Sequence, residues 1–203
     1  MQIAVLGAGH IGGTLADKWA QAGHSIHFGL RDPQKAELQA LVKSLGGKAS
    51  AASIAGAISA AEVVLFAIPG GAMEETVRAH AQALQTKIIV DAANNMRGAS
   101  LNSMAVFAEQ TPRASVYRAF NIYGWENFRD AEYGGERADL FYCGTDGAAR
   151  PQVEQLIAEV GMNPVYVGGV DQAGAVDGLL KLWIALVQSQ QMGRHFAFKI
   201  VKG

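Results

Sequence analysis

The chain has 203 residues, of which 50% are hydrophobic and 17% charged, with a net charge of -1. That length and apolar content suffice for one well-buried α/β domain, and the near-neutral charge argues against a nucleic-acid partner, which would require a basic face. A single cysteine, Cys143, excludes an internal disulfide and fits a reducing compartment. The longest apolar run, Leu179 to Val187, contains Lys181 and is too short to span a membrane. With a first strand beginning at residue 2, no signal peptide is expected, and the expected location is the cytoplasm.

In chain order, Ile3 to Leu6 is a short apolar run stopped at once by glycine, which predicts a buried strand. Gly7, Gly9 and Gly12 follow in a G-x-G-x-x-G pattern. In a strand–turn–helix context the first glycine permits the tight turn. The second lets a pyrophosphate approach the backbone, and the third lets the helix pack close to the strand. The free N–H groups of that helix start would face the phosphates, with the helix dipole behind them. The helix continues through Thr14 to Gly23, with Leu15, Trp19 and Ala22 at helical spacing. His24 to Gly29 reads as the second strand. His24 and His27 fit strand ends or exposed faces, with no partner nearby. Asp32-Pro33 reads as a helix start, with Asp32 as the N-cap and Pro33 at the first helical position.

Lys48 to Ser50 is a candidate third strand and Ala51 to Ala60 a small helix. Glu62 to Ile68 is an unbroken apolar run of the kind buried on both faces of a parallel sheet. A helix over Ala72 to Leu84 follows, then a strand over Lys87 to Asp91 and a polar loop over Asn94 to Ser100. Leu101 to Glu109 is helical, capped by Asn102 or Ser103, and Ser115 to Phe120 is the sixth strand. Such alternation predicts an α/β, doubly wound, mostly parallel sheet of order 3-2-1-4-5-6. Beyond it come an aromatic-rich segment over Asn121 to Asp130 and a strand over Asp139 to Cys143. A helix over Gly147 to Val160, a strand over Asn163 to Val167 and a long apolar helix over Ala173 to Met192 complete the chain. The expectation is a single Rossmann-type dinucleotide-binding domain over 1–203, with a core at 1–120 and a sheet extension with covering helices at 121–203.

NAD-binding folds usually end the second strand with an acid that takes the ribose hydroxyls. Here that place is Gly29, followed by Leu30 and Arg31, with Lys35 close behind. Arginine can hold a 2′-phosphate through paired charge-assisted hydrogen bonds, which favours NADP(H) over NAD(H). The competing assignment makes Asp32 the ribose acid, although its place before Pro33 favours a capping role.

The ordered set Gly7-Ala8-Gly9-His10-Ile11-Gly12, Gly29-Leu30-Arg31 with Lys35, Ala67-Ile68-Pro69, Lys87 to Asp91, Arg118-Ala119-Phe120-Asn121, Cys143 to Asp146 and Val167-Gly168 resembles the coenzyme F420-dependent NADP oxidoreductases and their bacterial relatives. The resemblance implies a Rossmann fold and hydride passage between NADP(H) and a deazaflavin. It implies that Gly7, Gly9, His10, Ile11 and Gly12 hold the pyrophosphate and that Arg31 and Lys35 hold the 2′-phosphate. Ile68 and Pro69 would lie near adenine and ribose. Ala92 to Asn94 and Ala119 to Asn121 would flank the nicotinamide. Two departures stand out. Leu30 replaces a small hydroxyl residue, and Gly169 to Ala175 lacks the run common in relatives on the acceptor side. The related β-hydroxyacid dehydrogenases and pyrroline-carboxylate reductases add a helical domain after the Rossmann part, and only the tail after Asp171 stands in that place here.

Ring-to-ring hydride transfer needs orientation and exclusion of water, and no proton-transferring residue is obligatory. No catalytic acid–base pair and no metal site are expected. His80 and His195 lie in helical patterns without a partner. Asn94, Asn95 and Asn121 could bind the nicotinamide amide or serve ordinary turns. Tyr123, Trp125 and Phe128 could stack on a planar acceptor or pack in the core. The apolar stretch Leu179 to Val187 suits either a homodimer contact or burial against the sheet. Two functions follow: an NADPH-dependent reductase of F420, a flavin or another planar acceptor, or a non-catalytic NADP(H)-binding sensor.

Overall fold

The computed structural model describes residues Met1–Gly203. Strands β1 (Gln2–Leu6), β2 (Ser25–Gly29), β3 (Ala49–Ala52), β4 (Val63–Phe66), β5 (Ile88–Asp91) and β6 (Ser115–Arg118) build the parallel part of one sheet. A short hairpin, β7 (Glu132–Tyr133) and β8 (Glu136–Arg137), stands apart from it. Strands β9 (Asp139–Gly144) and β10 (Asn163–Tyr166) extend the sheet beyond β6, giving the order β10-β9-β6-β5-β4-β1-β2-β3. Strand β9 runs antiparallel to β6, and β10 runs parallel to β9. The core order 3-2-1-4-5-6 is the one that alternating strands and right-handed crossovers require.

Helices α1 (His10–Gln21), α2 (Ala36–Ser44), α3 (Ile54–Ala60), α4 (Met73–Leu84) and α5 (Met104–Gln110) link these strands. Helices α6 (Trp125–Arg129), α7 (Arg150–Glu159) and α8 (Ala173–Ser189) belong to the last third of the chain. Alternate strand residues feed two cores. Ile3, Val5, Val63, Leu65 and Val90 pack with Leu15 and Trp19 of α1, and with Val176 and Trp183 of α8. Ala4, Leu6, Val64, Phe66 and Ile89 pack with Ala57, Ile58, Val77 and Phe107 on the opposite face. Burial on both faces explains why these strands are apolar throughout.

Several local expectations need correction. Helix α2 begins at Ala36, not at Pro33. The Asp32 carboxylate instead accepts a 3.0 Å bond from the Gln34 N–H, an Asx turn that delays the helix. Strand β3 runs on to Ala52, and Ser53 caps α3 by accepting from Gly56 N–H at 3.2 Å. Asn102 accepts from Met104 N–H at 3.1 Å, whereas Ser103 makes no side-chain cap bond. Helix α8 stops at Ser189. The chain then returns, with Trp183 Nε1 donating to the Phe196 carbonyl at 3.2 Å and Ile200 N–H donating to the Asp139 carboxylate at 2.7 Å. No helix is long and apolar enough to cross a membrane.

Candidate active site

Strand β1 pairs with β2 on one side and β4 on the other, so the chain reverses its winding direction there. A crevice opens outside the carboxyl ends of the strands at such a switch point. The glycine turn lies at this crevice. Gly7 has φ +102°, and a Cβ on it would strike the Ala67 carbonyl. A Cβ on Gly12 would collide with the Gly7 carbonyl, and α1 could not sit so close to the turn. Gly9 differs, because a Cβ there would meet nothing within 4 Å. Its open side is a cradle that a side chain would fill.

Three cavities meet successive residues of this turn. The first, about 420 Å³, touches Gly7 and extends to Leu30, Arg31, Asp32 and Lys35, with Ile68 and Pro69 on its other wall. His80 also lines it, while Glu75 adds a carboxylate. The second, about 360 Å³, is bounded by Ala8, Gly9, His10 and Trp125. The third, about 350 Å³, is bounded by Ile11, Ala92, Asn94, Asn121, Trp125 and Trp183. Trp125 borders both the second and the third.

Gly29 is glycine for a packing reason that the sequence alone does not show. A Cβ there would come within 2.6 Å of Leu6 Cδ2 and 3.0 Å of Ala57 Cβ. An acid at the end of β2 would not fit, so polar contacts fall to the following loop.

At the far end, the aromatics divide. Phe128 is fully buried and meets Phe120 edge-on at 5.6 Å, so it packs in the core and faces no ligand. Tyr123 is also buried, its hydroxyl donating to the Asp139 carbonyl at 2.9 Å. Trp125 is half-buried, with His10 stacked on it and the Arg129 guanidinium 4.7 Å from its centroid. Phe120 has φ +61°, a left-handed backbone rare outside glycine that costs on the order of 1–3 kcal/mol. Trp19 and Phe128 wedge its ring in place, and the turn swings Asn121 to the crevice.

Beneath Asn94 and Asn121 lies a buried ionic cluster absent from the sequence reading. Arg118, fully buried at the end of β6, lies 3.2 Å from the Asp91 carboxylate and 2.8 Å from that of Asp177. It also donates to Asn94 Oδ1 at 2.6 Å and to the Ala93 carbonyl. Asn94 Nδ2 donates to the Asn121 carbonyl at 2.8 Å, which occupies both ends of that amide. One guanidinium faces two carboxylates, and burial pushes the Asp91 carboxyl above its ordinary range despite Arg118. The available signal was a charged residue inside an otherwise apolar strand, Val116-Tyr117-Arg118-Ala119. Ala119 is fully buried, and Ala92 is 7% exposed where it lines the third cavity.

The remaining histidines lie elsewhere or have other partners. His24, at the strand end expected of it, is buried, and its Nε2 sits 2.7 Å from Glu159, which corrects the expectation that it has no partner. His27 bonds Ser50 at 2.9 Å and Gln2 at 2.8 Å. His24 precedes β2 and His27 lies in its middle, and neither lines a cavity along the glycine turn. His195 lies beyond α8 and stacks on Tyr133 at 4.8 Å, outside any helix.

Residues 2–95 match the family described as NADP oxidoreductase, coenzyme F420-dependent. That segment carries the glycine turn, Arg31 and Lys35. A crystal structure from Arthrobacter sp. FB24, provisionally described as an F420-dependent NADP reductase, superposes with a TM-score of 0.86 at 27% identity, covering 100% of both chains. A hypothetical protein from Sinorhizobium meliloti gives 0.73 at 27% identity, covering 100% of this chain and 96% of the other. Among curated proteins, a glycerol-3-phosphate dehydrogenase [NAD(P)+] from Chlorobium luteolum is 29% identical over 198 residues, 90% of this chain and 59% of the relative. The chain thus spans about six-tenths of that relative's length.

Proposed function

We propose that the chain is an NADP(H)-dependent oxidoreductase that passes a hydride between NADPH and a planar acceptor such as coenzyme F420 or a flavin. The observation that carries this reading is the run of three cavities along the glycine turn. It has cations at one end and an indole with two amides at the other. The F420-dependent description of the family and of the Arthrobacter structure supports the acceptor class.

The residues fit the cofactor. Gly9 leaves room at the start of α1, where Gly7, His10, Ile11 and Gly12 would surround the pyrophosphate and free N–H groups would meet its charge. Arg31 and Lys35, both exposed in the first cavity, would grip the 2′-phosphate. Asp32 shares that cavity. Glu75 adds a second carboxylate, so what favours the phosphate over a bare ribose is the exposed Arg31 guanidinium two residues after β2, with Lys35 beside it. Ile68 and Pro69 would cover adenine and ribose, and Ala92, Asn94, Ala119 and Asn121 would flank the nicotinamide. When bound, NADPH supplies the hydride from its dihydronicotinamide ring. Trp125 and Trp183 border the third cavity, where they would lie beside a planar acceptor and keep water from it.

The outward face of α8, with exposed Ala175, Gly178 and Leu182, suits a homodimer contact, and light scattering would give the mass. The deciding experiment mixes protein and NADPH with F420, FMN, FAD and riboflavin and follows the reduced-nicotinamide absorbance. Oxidation with F420 or a flavin is expected. Tight NADPH binding without turnover on any acceptor would sink the enzyme and favour a sensor.

A further inference from the structure

The proposed hydride transfer makes no use of Asp177, yet four hydrogen bonds end on its carboxylate. Oδ1 accepts from Arg118 Nε at 3.0 Å, Arg118 Nη2 at 2.8 Å and Asn121 Nδ2 at 3.2 Å. Oδ2 accepts from Asn102 Nδ2 at 2.7 Å. The residue is 4% exposed and sits on the inward face of α8, remote in sequence from the strands it touches.

An ionised carboxylate only accepts hydrogen bonds. Asn121 must therefore turn its Nδ2 toward Asp177, and its Oδ1 is forced the other way. That Oδ1 is buried and has no partner in the protein. Arg118, which only donates, imposes the complementary orientation on Asn94 by bonding its Oδ1. A buried anion and a buried cation thus set two amides at the cleft in opposite senses. Asn94 is left saturated, and Asn121 keeps one free acceptor.

We infer that Asp177 is a positioning residue. Acting through Asn121, it holds Oδ1 as the acceptor for a carboxamide N–H at the nicotinamide end of the cleft. The inference rests on the cofactor reading above. It extends that reading to α8, outside the segment that matches the family. A carboxamide NH2 group has the donor that this oxygen lacks.

The test compares NADPH with 2′,5′-ADP, which lacks the nicotinamide half, by calorimetry on the full chain. Asp177→Ala removes the oxygen that faces Asn121 Nδ2, so Asn121 can flip. NADPH should bind about tenfold more weakly, the worth of one ordinary hydrogen bond, while 2′,5′-ADP stays within about twofold. Equal weakening of both ligands, or of neither, overturns the inference while leaving the cofactor site intact. Wild-type protein that binds neither ligand sinks both readings. In the double variant with Asn121→Ser, the two losses should not add, because Asp177 works through Asn121. Full additivity overturns the inference. Should Asp177→Ala fail to fold, Asn121→Leu removes the free Oδ1 acceptor itself and leaves Asp177 with Arg118 and Asn102. A loss for NADPH alone, of about tenfold, is then expected, and equal losses for both ligands again overturn the inference.

Discussion

The imidazole of His10 lies flat on the indole of Trp125, ring centroids 5.0 Å apart and planes 17° from parallel. The pair joins the glycine turn to the start of α6 and stands where the second cavity meets the third. A cofactor lying along the turn must press on this stack. NADPH binding should therefore change the tryptophan emission. Trp125→Phe should remove a large part of that change and leave the share of Trp183, which also lines the third cavity, since Trp19 is fully buried in the core. An undiminished change in Trp125→Phe would place the bound cofactor elsewhere. His10→Ala should cost less than about 1 kcal/mol of stability, since both rings are partly open to solvent.

Gly9 and Gly12 should separate binding from folding. Gly9→Ala places a methyl in open space with an ordinary backbone, φ -73°. Stability should stay within about 0.5 kcal/mol of wild type, while NADPH affinity falls about tenfold or more. Gly12→Ala gains up to about 1 kcal/mol of helix propensity but drives its methyl into the Gly7 carbonyl. The collision is with backbone, so a net loss of about 1–3 kcal/mol is expected in a urea titration.

Arg31→Ala should weaken NADPH about 10- to 100-fold, the worth of a charge-assisted hydrogen bond to phosphate, and leave NADH nearly unchanged. Asp32→Asn should leave NADPH binding equal or tighter. Equal losses for NADPH and NADH in Arg31→Ala would transfer the selectivity to another group.

Arg118→Met should cost about 3–5 kcal/mol, because it strands two buried carboxylates. The loss should depend on pH. Burial holds the Asp91 carboxyl above its ordinary value of 3.8, so the folded state takes up a proton more readily than the unfolded chain. The stability linked to that proton is greatest at low pH and is lost as pH rises from 3.8 through the folded value. Without the guanidinium the folded value climbs further. Urea midpoints for Arg118→Met should therefore lie closer to wild type at pH 5 than at pH 8.

Cys143 is fully buried on β9, and burial pushes its thiol up to about 11. A protonated, shielded thiol is a poor nucleophile. Ellman's reagent at pH 8 should leave it unmodified until urea unfolds the chain. Rapid labelling of the native protein would contradict this burial.

The order of the six core strands follows from local signals, because each strand–helix unit is contiguous and crossovers have one hand. The glycine turn is legible for the same reason. Gly12 answers to the Gly7 carbonyl within the turn and Gly7 to its own positive φ, although the distant Ala67 carbonyl crowds Gly7 as well. Asp32-Pro33 misleads because an Asx turn and a helix cap use the same side-chain oxygen, and the local sequence does not decide between them.

The sequence by itself determined the doubly wound sheet and the glycine cradle at the start of α1, through periodicity and backbone sterics acting over short distances. Tertiary structure alone decided three further features. Gly29 is small because Leu6 and Ala57 crowd it. Phe128 serves the core while Trp125 faces the cleft. Asp91, Arg118 and Asp177 meet beneath Asn121 although they come from β5, β6 and α8. Such contacts depend on how the elements pack, and a buried charge is stable only beside partners that the fold brings to it.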